Sequence, residues 1–375
     1  MVPPRPSTLR RVLVRMLVLA VLLVGEFAVL EASLRWHGGS EASPDFQSLF
    51  MDDAQVGHRL RPLAHARYTT VEFSTDLRIN AQGVRDDEDI GPKPANERRV
   101  VILGDSLVLS IQVPLRQTFG KQLEARLNAA GGREHWRVIN AGVQGYCPVE
   151  EWLFYDHIAA AFQPDVVLVV VFVGNDAVES YDRESWLDAG HPPSSSESDR
   201  ALTSFRRLTR SSIVLQYIRL RVDLLRSRLS TPAPERPLVT YAAEPPVEVT
   251  HGLDVSRRAV DLIARHAAAD GARTAIALMP ARFQVDDADY SRFVEIVRAA
   301  GGTLERNAGS ERFAAALAPL ELPLVDLQPA LAAQPDRAGL FFQRNIHLTP
   351  RGHEVVAQTL FDFFEANGLV PRPPS

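Results

Sequence analysis

The feature that most constrains the fold is a set of five short apolar runs separated by helical patterns. The runs are rich in Val, Ile or Leu and most stop close to a glycine or a proline, as strands buried on both faces do. Strands that alternate with helices predict an α/β fold, in which helices cover both faces of a parallel sheet. The runs are Val100–Leu103, Val138–Asn140, Val166–Val173, Thr274–Met279 and Leu324–Leu327.

Helical periodicity fills the spaces between these runs. The predicted helices are Thr118–Leu127, Val149–Phe162, Val255–Ala268, Tyr290–Ala299 and Glu354–Ala366. Residues 177–250 interrupt the alternation with a polar tract, a basic amphipathic helix over Leu202–Leu229 and a Pro-rich stretch. We interpret these residues as a helical insertion. Its basic helix either packs on the domain with a solvated basic face or contacts anionic lipid.

An apolar segment near the N-terminus follows four arginines within the first 15 residues. As a helix, Val12–Leu30 would be about 28 Å long, close to the roughly 30 Å core of a bilayer. The basic flank favours a cytoplasmic N-terminus. We therefore predict a cytoplasmic basic tail over residues 1–11 and a single transmembrane anchor over 12–31 in the inner membrane, with the catalytic domain on the periplasmic side. A cleaved signal peptide is the alternative.

Composition narrows the possible functions. The 375 residues, 46% of them hydrophobic, suffice for a globular protein with a full core, and a net charge of -5 gives no reason to expect nucleic acid as a partner. The single cysteine, Cys147, excludes an intramolecular disulfide and a cysteine-based zinc site. Pro92 and Pro94 separate an extracytoplasmic approach segment, residues 32–97, from a main domain over 98–370.

Four short polar motifs lie where an open parallel sheet places its ligands. Each is predicted to follow a different strand of the sheet, and the fourth also opens the last helix. The motifs are Gly104-Asp105-Ser106, Asn140-Ala141-Gly142, Gly174-Asn175-Asp176 and His347-Leu348-Thr349-Pro350.

These residue types fit acyl transfer. A serine hydroxyl is a weak nucleophile that needs a base within hydrogen-bond reach, so we predict Ser106 as the nucleophile and His347 as its base. The tetrahedral intermediate carries an oxyanion that needs preorganised donors. The candidate donors are the backbone N–H groups of Ser106 and Gly142 and the side-chain amide of Asn175. Each motif alone is a weak signal, and the prediction depends on their order within one sheet.

This order of motifs resembles that of the SGNH hydrolases, also called the GDSL family, over roughly Arg98–Leu369. Ser106, Gly142, Asn175 and His347 match the four residues that give the family its name. The resemblance implies a flavodoxin-like three-layer sandwich around a central parallel sheet of about five strands. It also implies ester chemistry that uses no metal and no cofactor.

The chain departs from the family in two places. Many relatives have glycines after the nucleophile, where this chain has Ser110 and Gln112. The family usually has an Asp two or three residues before the histidine, at the positions of Asn345 and Arg344 here. We take Asn345 as a tentative orienter of the base, because its side-chain oxygen can accept the Nδ1–H. A backbone carbonyl or Asp326 is the alternative partner.

Other polar residues beside the motifs are interpreted as structural. Asp105 and Asp176 adjoin two of the motifs and are predicted to hold turns by accepting backbone N–H groups. His353 is assigned to the last helix and Cys147 to the core.

The sequence leaves three functional hypotheses open. Asn80-x-x-Gly83-x-Arg85 resembles the lead-in of bacterial family members with an N-terminal anchor. The leading hypothesis is therefore a membrane-anchored serine esterase or O-acyltransferase that acts on acyl esters, acetyl above all, of envelope glycans or related alcohols. A lysophospholipase-like lipid esterase and a catalytically impaired domain that binds a glycan or a partner are the alternatives. The sequence does not indicate the acyl donor, the acceptor or the oligomeric state.

Overall fold

The computed structural model describes residues 8–37, 46, 48–193, 212, 214, 215, 218, 236–299 and 301–370. The predicted basic helix Leu202–Leu229 lies outside the described residues, except for four positions. The chain divides into two compact units. The first comprises Met1–Gln47, Thr69–Val71 and Ser195–Thr231, and the second comprises Ser48–Tyr68, Glu72–Ser194 and Pro232–Ser375.

The first unit contains one long helix, α1 (Thr8–His37). Its 20-residue stretch Val14–Ser33 has a mean hydropathy of 2.1, and none of this stretch is buried. The helix is therefore long and apolar enough to cross a membrane, and a signal sequence would have the same properties. Near its end, Glu31 accepts hydrogen bonds from Ser212 Oγ and from the Val214 backbone N–H, at 2.9 and 3.0 Å.

The second unit is built on a five-stranded parallel sheet in the order β6-β5-β7-β8-β9. Counted along the chain, this is the 2-1-3-4-5 order of flavodoxin-like folds. The predicted α/β fold with about five parallel strands is therefore confirmed. The strands of the unit are β1 (Phe50–Asp53), β2 (Gly57–Leu60), β3 (His65–Thr69), β4 (Ser74–Arg78), β5 (Glu97–Gly104), β6 (His135–Gly142), β7 (Val166–Phe172), β8 (Arg273–Met279) and β9 (Leu324–Asp326).

The helices lie on both faces of this sheet, which gives the three layers. Helices α3 and α12 pack together on one face, while α4 and α7 cover the other. The described α-helices are α2 (Ser106–Leu109), α3 (Phe119–Ala129), α4 (Pro148–His157), α5 (Asp176–Asp182), α6 (Glu184–Ala189), α7 (Val247–Ala269), α8 (Arg282–Val285), α9 (Asp287–Ala299), α10 (Ala308–Leu317), α11 (Gln328–Ala332) and α12 (Pro350–Ala366).

All five predicted strands and five predicted helices are present, with bounds that differ by a few residues in most cases. The largest difference is α7, which begins at Val247, inside the stretch interpreted as an insertion. The sequence analysis did not predict α10 or the pairing of β1 with β2 and of β3 with β4. These short strands alternate only weakly in hydropathy, so their pairing depends on contacts that periodicity does not reveal.

The register of the central strands brings the motifs together. Gly104 at the end of β5 pairs with Gly142 at the end of β6, and β7 flanks β5 on its other side. The residues that follow these three strands therefore share one edge of the sheet. That edge is the carboxyl edge, where ligands bind in open α/β sheets.

Candidate active site

The candidate nucleophile sits on a tight turn between β5 and α2. Gly104 has a φ of +157°, and a Cβ added to it would lie 2.2 Å from a methyl carbon of Val108. Only glycine therefore allows the strand and the helix to approach so closely. Asp105 caps α2, since its Oδ1 accepts the Leu107 backbone N–H at 2.8 Å. Ser106 then opens the helix and is half-buried at the sheet edge.

The structure brings Ser106 and His347 together across 241 residues of chain. The distance from Ser106 Oγ to His347 Nε2 is 2.9 Å, which is a hydrogen bond. On the other side of the ring, His347 Nδ1 contacts Asn345 Oδ1. Three residues therefore form a continuous line from nucleophile to base to orienter, the arrangement that activates a serine.

A backbone contact fixes the orientation of the Asn345 amide. The backbone N–H of His347 donates to Asn345 Oδ1 at 3.0 Å. A backbone N–H can only donate, so the atom that it faces must be the amide oxygen and not the nitrogen. That oxygen must accept from Nδ1 as well. The imidazole therefore carries its proton on Nδ1 and turns the lone pair of Nε2 toward Ser106.

The prediction that His347 follows a strand of the central sheet is wrong, since His347 lies on a short hairpin outside that sheet. Phe341 and Leu348 form an antiparallel bridge, and the Phe342 N–H donates to the His347 carbonyl at 3.0 Å. The imidazole is half-buried, and this loss of hydration lowers its pKa to about 4. The side chain is thus neutral near pH 7, as a general base must be.

The predicted oxyanion donors have partners inside the protein. The Gly142 backbone N–H donates to Asn140 Oδ1 at 3.0 Å, so an oxyanion would have to replace that bond. Asn175 Nδ2 donates one of its two hydrogens to Glu179 Oε1 at 2.9 Å, which leaves the second for another acceptor. The roles of Gly142 and Asn175 in an oxyanion hole therefore stay predictions.

The same loop offers another glycine that the sequence analysis passed over. Gly145 has a φ of +77°, and a Cβ added to it would meet nothing within 4 Å. Its backbone N–H makes no hydrogen bond to any residue that the structure describes. The signal in the sequence was its place three residues beyond Gly142, after the same strand.

Both aspartates of the motifs hold turns, as predicted. Asp176 Oδ2 accepts the Phe172 backbone N–H at 2.8 Å, and Asp105 caps α2. His353 is 1% exposed, stacks on Phe119 and accepts the Phe119 N–H through Nδ1 at 3.3 Å, which confirms its structural assignment. Asp326 accepts the Gln328 backbone N–H at 2.9 Å and is not bonded to the base.

Fully buried carboxyl groups lie near the nucleophile. Glu151 is 0% exposed, and neither of its oxygens has a hydrogen-bond partner among the described residues. Burial raises the pKa of Glu151 well above its ordinary value, and the nearby Asp105 raises it further. Burial also raises the pKa of Asp105, to about 7. Burial therefore favours the protonated form of Glu151 over the carboxylate. Within the described ranges, no group of three or more His, Cys, Asp or Glu side chains could hold a metal ion.

Arg85, the last residue of the Asn80-x-x-Gly83-x-Arg85 motif, contacts the helix that Ser106 opens. Its guanidinium is 1% exposed and donates to the carbonyls of Leu109 and Val113 at 2.9 and 2.6 Å, and to that of Ser110. Burial lowers its pKa to about 10, so the group stays charged at neutral pH. Arg85 thus neutralises the carboxyl end of α2, the helix that Ser106 opens. Ser110 itself adopts a φ of 55° just after that helix.

The fold and the site define an α/β protein of flavodoxin-like topology with a serine, a histidine and an asparagine in line at the sheet edge. No protein-family model matches the chain, and no curated protein is similar to it.

Several solved structures are similar to this chain at low identity. The crystal structure of TesA is 14% identical, covers 73% of this chain and all of its own, and has a TM-score of 0.41. A putative lipolytic protein of the G-D-S-L family from Desulfitobacterium hafniense is 12% identical over 71% of this chain and 98% of its own, with a TM-score of 0.37. A catalytic mutant of an acetylxylan esterase from Geobacillus stearothermophilus is 12% identical over 76% of this chain and all of its own, with a TM-score of 0.40. These likenesses are too distant to assign an activity.

Proposed function

We propose that this chain is a serine esterase or O-acyltransferase of the SGNH type. The observation that carries the proposal is the line from Ser106 Oγ to His347 Nε2, at 2.9 Å, with Nδ1 held by Asn345 Oδ1. A neutral imidazole whose lone pair faces a serine hydroxyl is a general base for that hydroxyl.

The reaction follows from these positions. Ser106 Oγ attacks the acyl carbonyl carbon while its proton moves to His347 Nε2. The carbonyl oxygen becomes an oxyanion, and we assign it to the Ser106 backbone N–H, the free amide hydrogen of Asn175 and a glycine N–H from the loop 142–145. The alcohol then leaves with the proton from Nε2, and an acyl-serine remains. Water or an acceptor hydroxyl, deprotonated by the same imidazole, attacks that ester and releases Ser106.

The expected substrates are short acyl esters, acetyl above all, of envelope glycans or related alcohols. The N-terminal helix supports a site of action outside the cytoplasm, because its basic flank would stay inside. Alkaline phosphatase fused after Leu369 should then be active, and green fluorescent protein fused at the same position and exported through the Sec route should be dark. The opposite pattern would contradict this orientation.

The central experiment is labelling of the purified protein with a fluorophosphonate, followed by peptide mapping. We expect modification at Ser106 in the wild type and none in Ser106→Ala. Parallel assays with p-nitrophenyl acetate and with long-chain lysolipids should show cleavage of the short ester only. Preference for the lysolipid would favour a lipid esterase instead.

A catalytically impaired binding domain is the second candidate function. It is favoured by the absence of a carboxylate at Nδ1 of the base, where Asn345 supplies an uncharged oxygen. Such a domain would bind glycans without labelling at Ser106. The fluorophosphonate experiment therefore separates the two candidates.

A further inference from the structure

The loop that carries the base is exposed at its tip. Gln343, Arg344 and Ile346 are exposed, and the hairpin bridge lies at its root, between Phe341 and Leu348. Neither the sheet nor the apolar core therefore fixes the tip of this loop. Asn345 nevertheless has to stay within hydrogen-bond reach of the imidazole, and catalytic groups must be held to about half an ångström.

A carboxylate from far along the chain binds this tip. Glu72 Oε1 accepts the Gln343 backbone N–H at 2.7 Å, and both carboxylate oxygens accept the Arg344 N–H at 3.1 Å. Two successive backbone N–H groups that converge on one anion form a strong, charge-assisted site. Next to Glu72, the ring of Phe73 packs on Phe342 with centroids 5.3 Å apart.

A cation binds the same tip through its carbonyls. Arg282, at the start of α8, donates through Nη1 to the carbonyl oxygens of Phe342 and Gln343, each at 2.9 Å. Asp289 lies 3.0 Å from Arg282 and Asp286 lies 3.6 Å from it, so the guanidinium is itself anchored. The main chain at Gln343 is thus held on its N–H side by Glu72 and on its carbonyl side by Arg282.

We propose that Glu72 and Arg282 are positioning residues for His347, a two-sided clamp that keeps Asn345 against Nδ1. This inference rests on the proposed function, and it explains how an uncharged orienter can serve. A triad carboxylate holds the ring directly by its charge, whereas here the charges hold the loop on which the orienter sits.

The clamp acts through the backbone and not through the field of its charges. Glu72 and Arg282 bond to backbone groups of the loop, and the lowered pKa of His347 has its cause in burial of the imidazole. Releasing the loop should therefore leave the substrate-binding surface largely intact and impair alignment of the base. A misplacement of 1 Å can lower a catalytic rate about a hundredfold.

The test compares two acidic residues of one hairpin. Glu72 contacts the catalytic loop, whereas Asp76 on β4 pairs with Arg67 on β3 and is half exposed. We expect Glu72→Ala to lower kcat for p-nitrophenyl acetate about ten- to a hundredfold, with KM changed less than threefold. Asp76→Ala should match the wild type. Glu72→Gln should recover part of the loss, because its amide oxygen can still accept a backbone N–H.

A second pair of variants tests whether the two residues act as one unit. Arg282→Met should also lower kcat, and Glu72→Ala combined with Arg282→Met should be little worse than the more damaged single variant. Residues that hold one peptide are not additive, whereas independent residues are. Fully additive losses would overturn the two-sided clamp.

A third readout does not require turnover. In protein with ¹⁵N-labelled histidine, the His347 ring, assigned by comparison with His347→Gln, should give separate Nδ1 and Nε2 shifts that mark one tautomer. In Glu72→Ala the two shifts should move toward a common average, and in Asp76→Ala they should not. A wild type that cleaves no ester would refute the proposed function and leave this measurement valid. An unchanged His347 signal in Glu72→Ala, or a loss of kcat that matches a loss of folded protein, would overturn the clamp.

Discussion

The proposed nucleophile and the proposed base of this site are held by two different kinds of structure. Ser106 follows β5, an interior strand of the sheet, and its neighbours Leu103 and Leu107 are at most 3% exposed. His347 sits on a hairpin whose tip is exposed and whose backbone is held by hydrogen bonds to the charged side chains of Glu72 and Arg282. One half of the site is fixed by core packing, the other by polar contacts at the surface.

The difference predicts how each half responds to substitution. Core packing is close enough that even a small change in side-chain volume disturbs it, and it fails when a close approach is blocked, as at Gly104. The polar contacts that hold the hairpin can be removed by single substitutions that leave the core intact. Substitutions around Ser106 should therefore cause large losses of activity, whereas substitutions around His347 should cause smaller, partial losses.

The largest effect is expected at the reacting atoms themselves. Ser106→Ala and His347→Ala should each lower ester cleavage by roughly 10⁴-fold or more, because nucleophile and base act as a unit. Both side chains are half-buried, so the melting temperature should change little. Activity near that of the wild type in either variant would exclude this serine mechanism.

The next effect tests the sheet-edge half of the site. Asn175→Ala should lower kcat roughly a hundred- to a thousandfold, the usual loss for one oxyanion donor. KM should change much less, since the bond strengthens mainly in the transition state. A loss confined to KM would assign Asn175 to substrate binding.

A smaller gain is expected from adding charge to the hairpin half. Asn345→Asp should raise kcat by a factor of about ten, since a pair of charges near a protein surface gains on the order of 1 kcal/mol or more. Arg344 could draw the new carboxylate away, so the matched control is Asn345→Asp combined with Arg344→Ala. If the wild type already has a high kcat and neither variant has a higher one, Asn345 does not limit the orientation of the base.

The pH dependence sharpens the same comparison. Burial lowers the pKa of His347 to about 4, and the base must be neutral to accept a proton. The rate in the wild type should therefore persist as the pH falls below 6 and be lost as it passes through about 4. In Asn345→Asp the carboxylate stabilises the imidazolium, so this limb of the kcat/KM profile should move to higher pH. A wild-type limb near 6.5 would show that the imidazole is hydrated.

The smallest effect is expected on the pH dependence of protein stability, through the buried carboxyl group of Glu151. Because burial raises the pKa of Glu151, the folded protein binds its proton at pH values where the unfolded chain has lost it. This carboxyl group therefore stabilises the fold progressively less as the pH rises above about 4.5. Glu151→Gln cannot ionise, so its melting temperature should fall less between pH 5 and pH 8, by a few degrees. If the melting temperatures of the wild type and of Glu151→Gln changed identically with pH, ionisation of Glu151 would not destabilise the folded protein.

The sequence by itself determined the main secondary-structure elements and predicted the reacting residues. The sequence shows the five apolar runs, the helices between them and the residues that follow the strands as local patterns. Burial imposes one characteristic periodicity on strands and another on helices, so these patterns can be recognised without knowledge of the fold. Ser106 was identifiable as a candidate because strand ends in a parallel sheet meet at one edge. His347 was a candidate through the order of the four motifs, although it lies on a hairpin outside the sheet. The turn-holding roles of Asp105 and Asp176 followed from their positions next to the motifs.

Only the tertiary structure decided what surrounds those residues. Glu72 lies 271 residues before Gln343, the residue whose backbone N–H it accepts. Arg85 donates to the carbonyl of Leu109, 24 residues later in the chain. The Gly142 N–H is already bonded to Asn140. Acidic residues and arginines are common in the sequence. No periodicity indicates which of them forms a hydrogen bond with a backbone group far along the chain. Such partners are set by how strands and loops pack in space, so the orientation of the base could be read only from the folded chain.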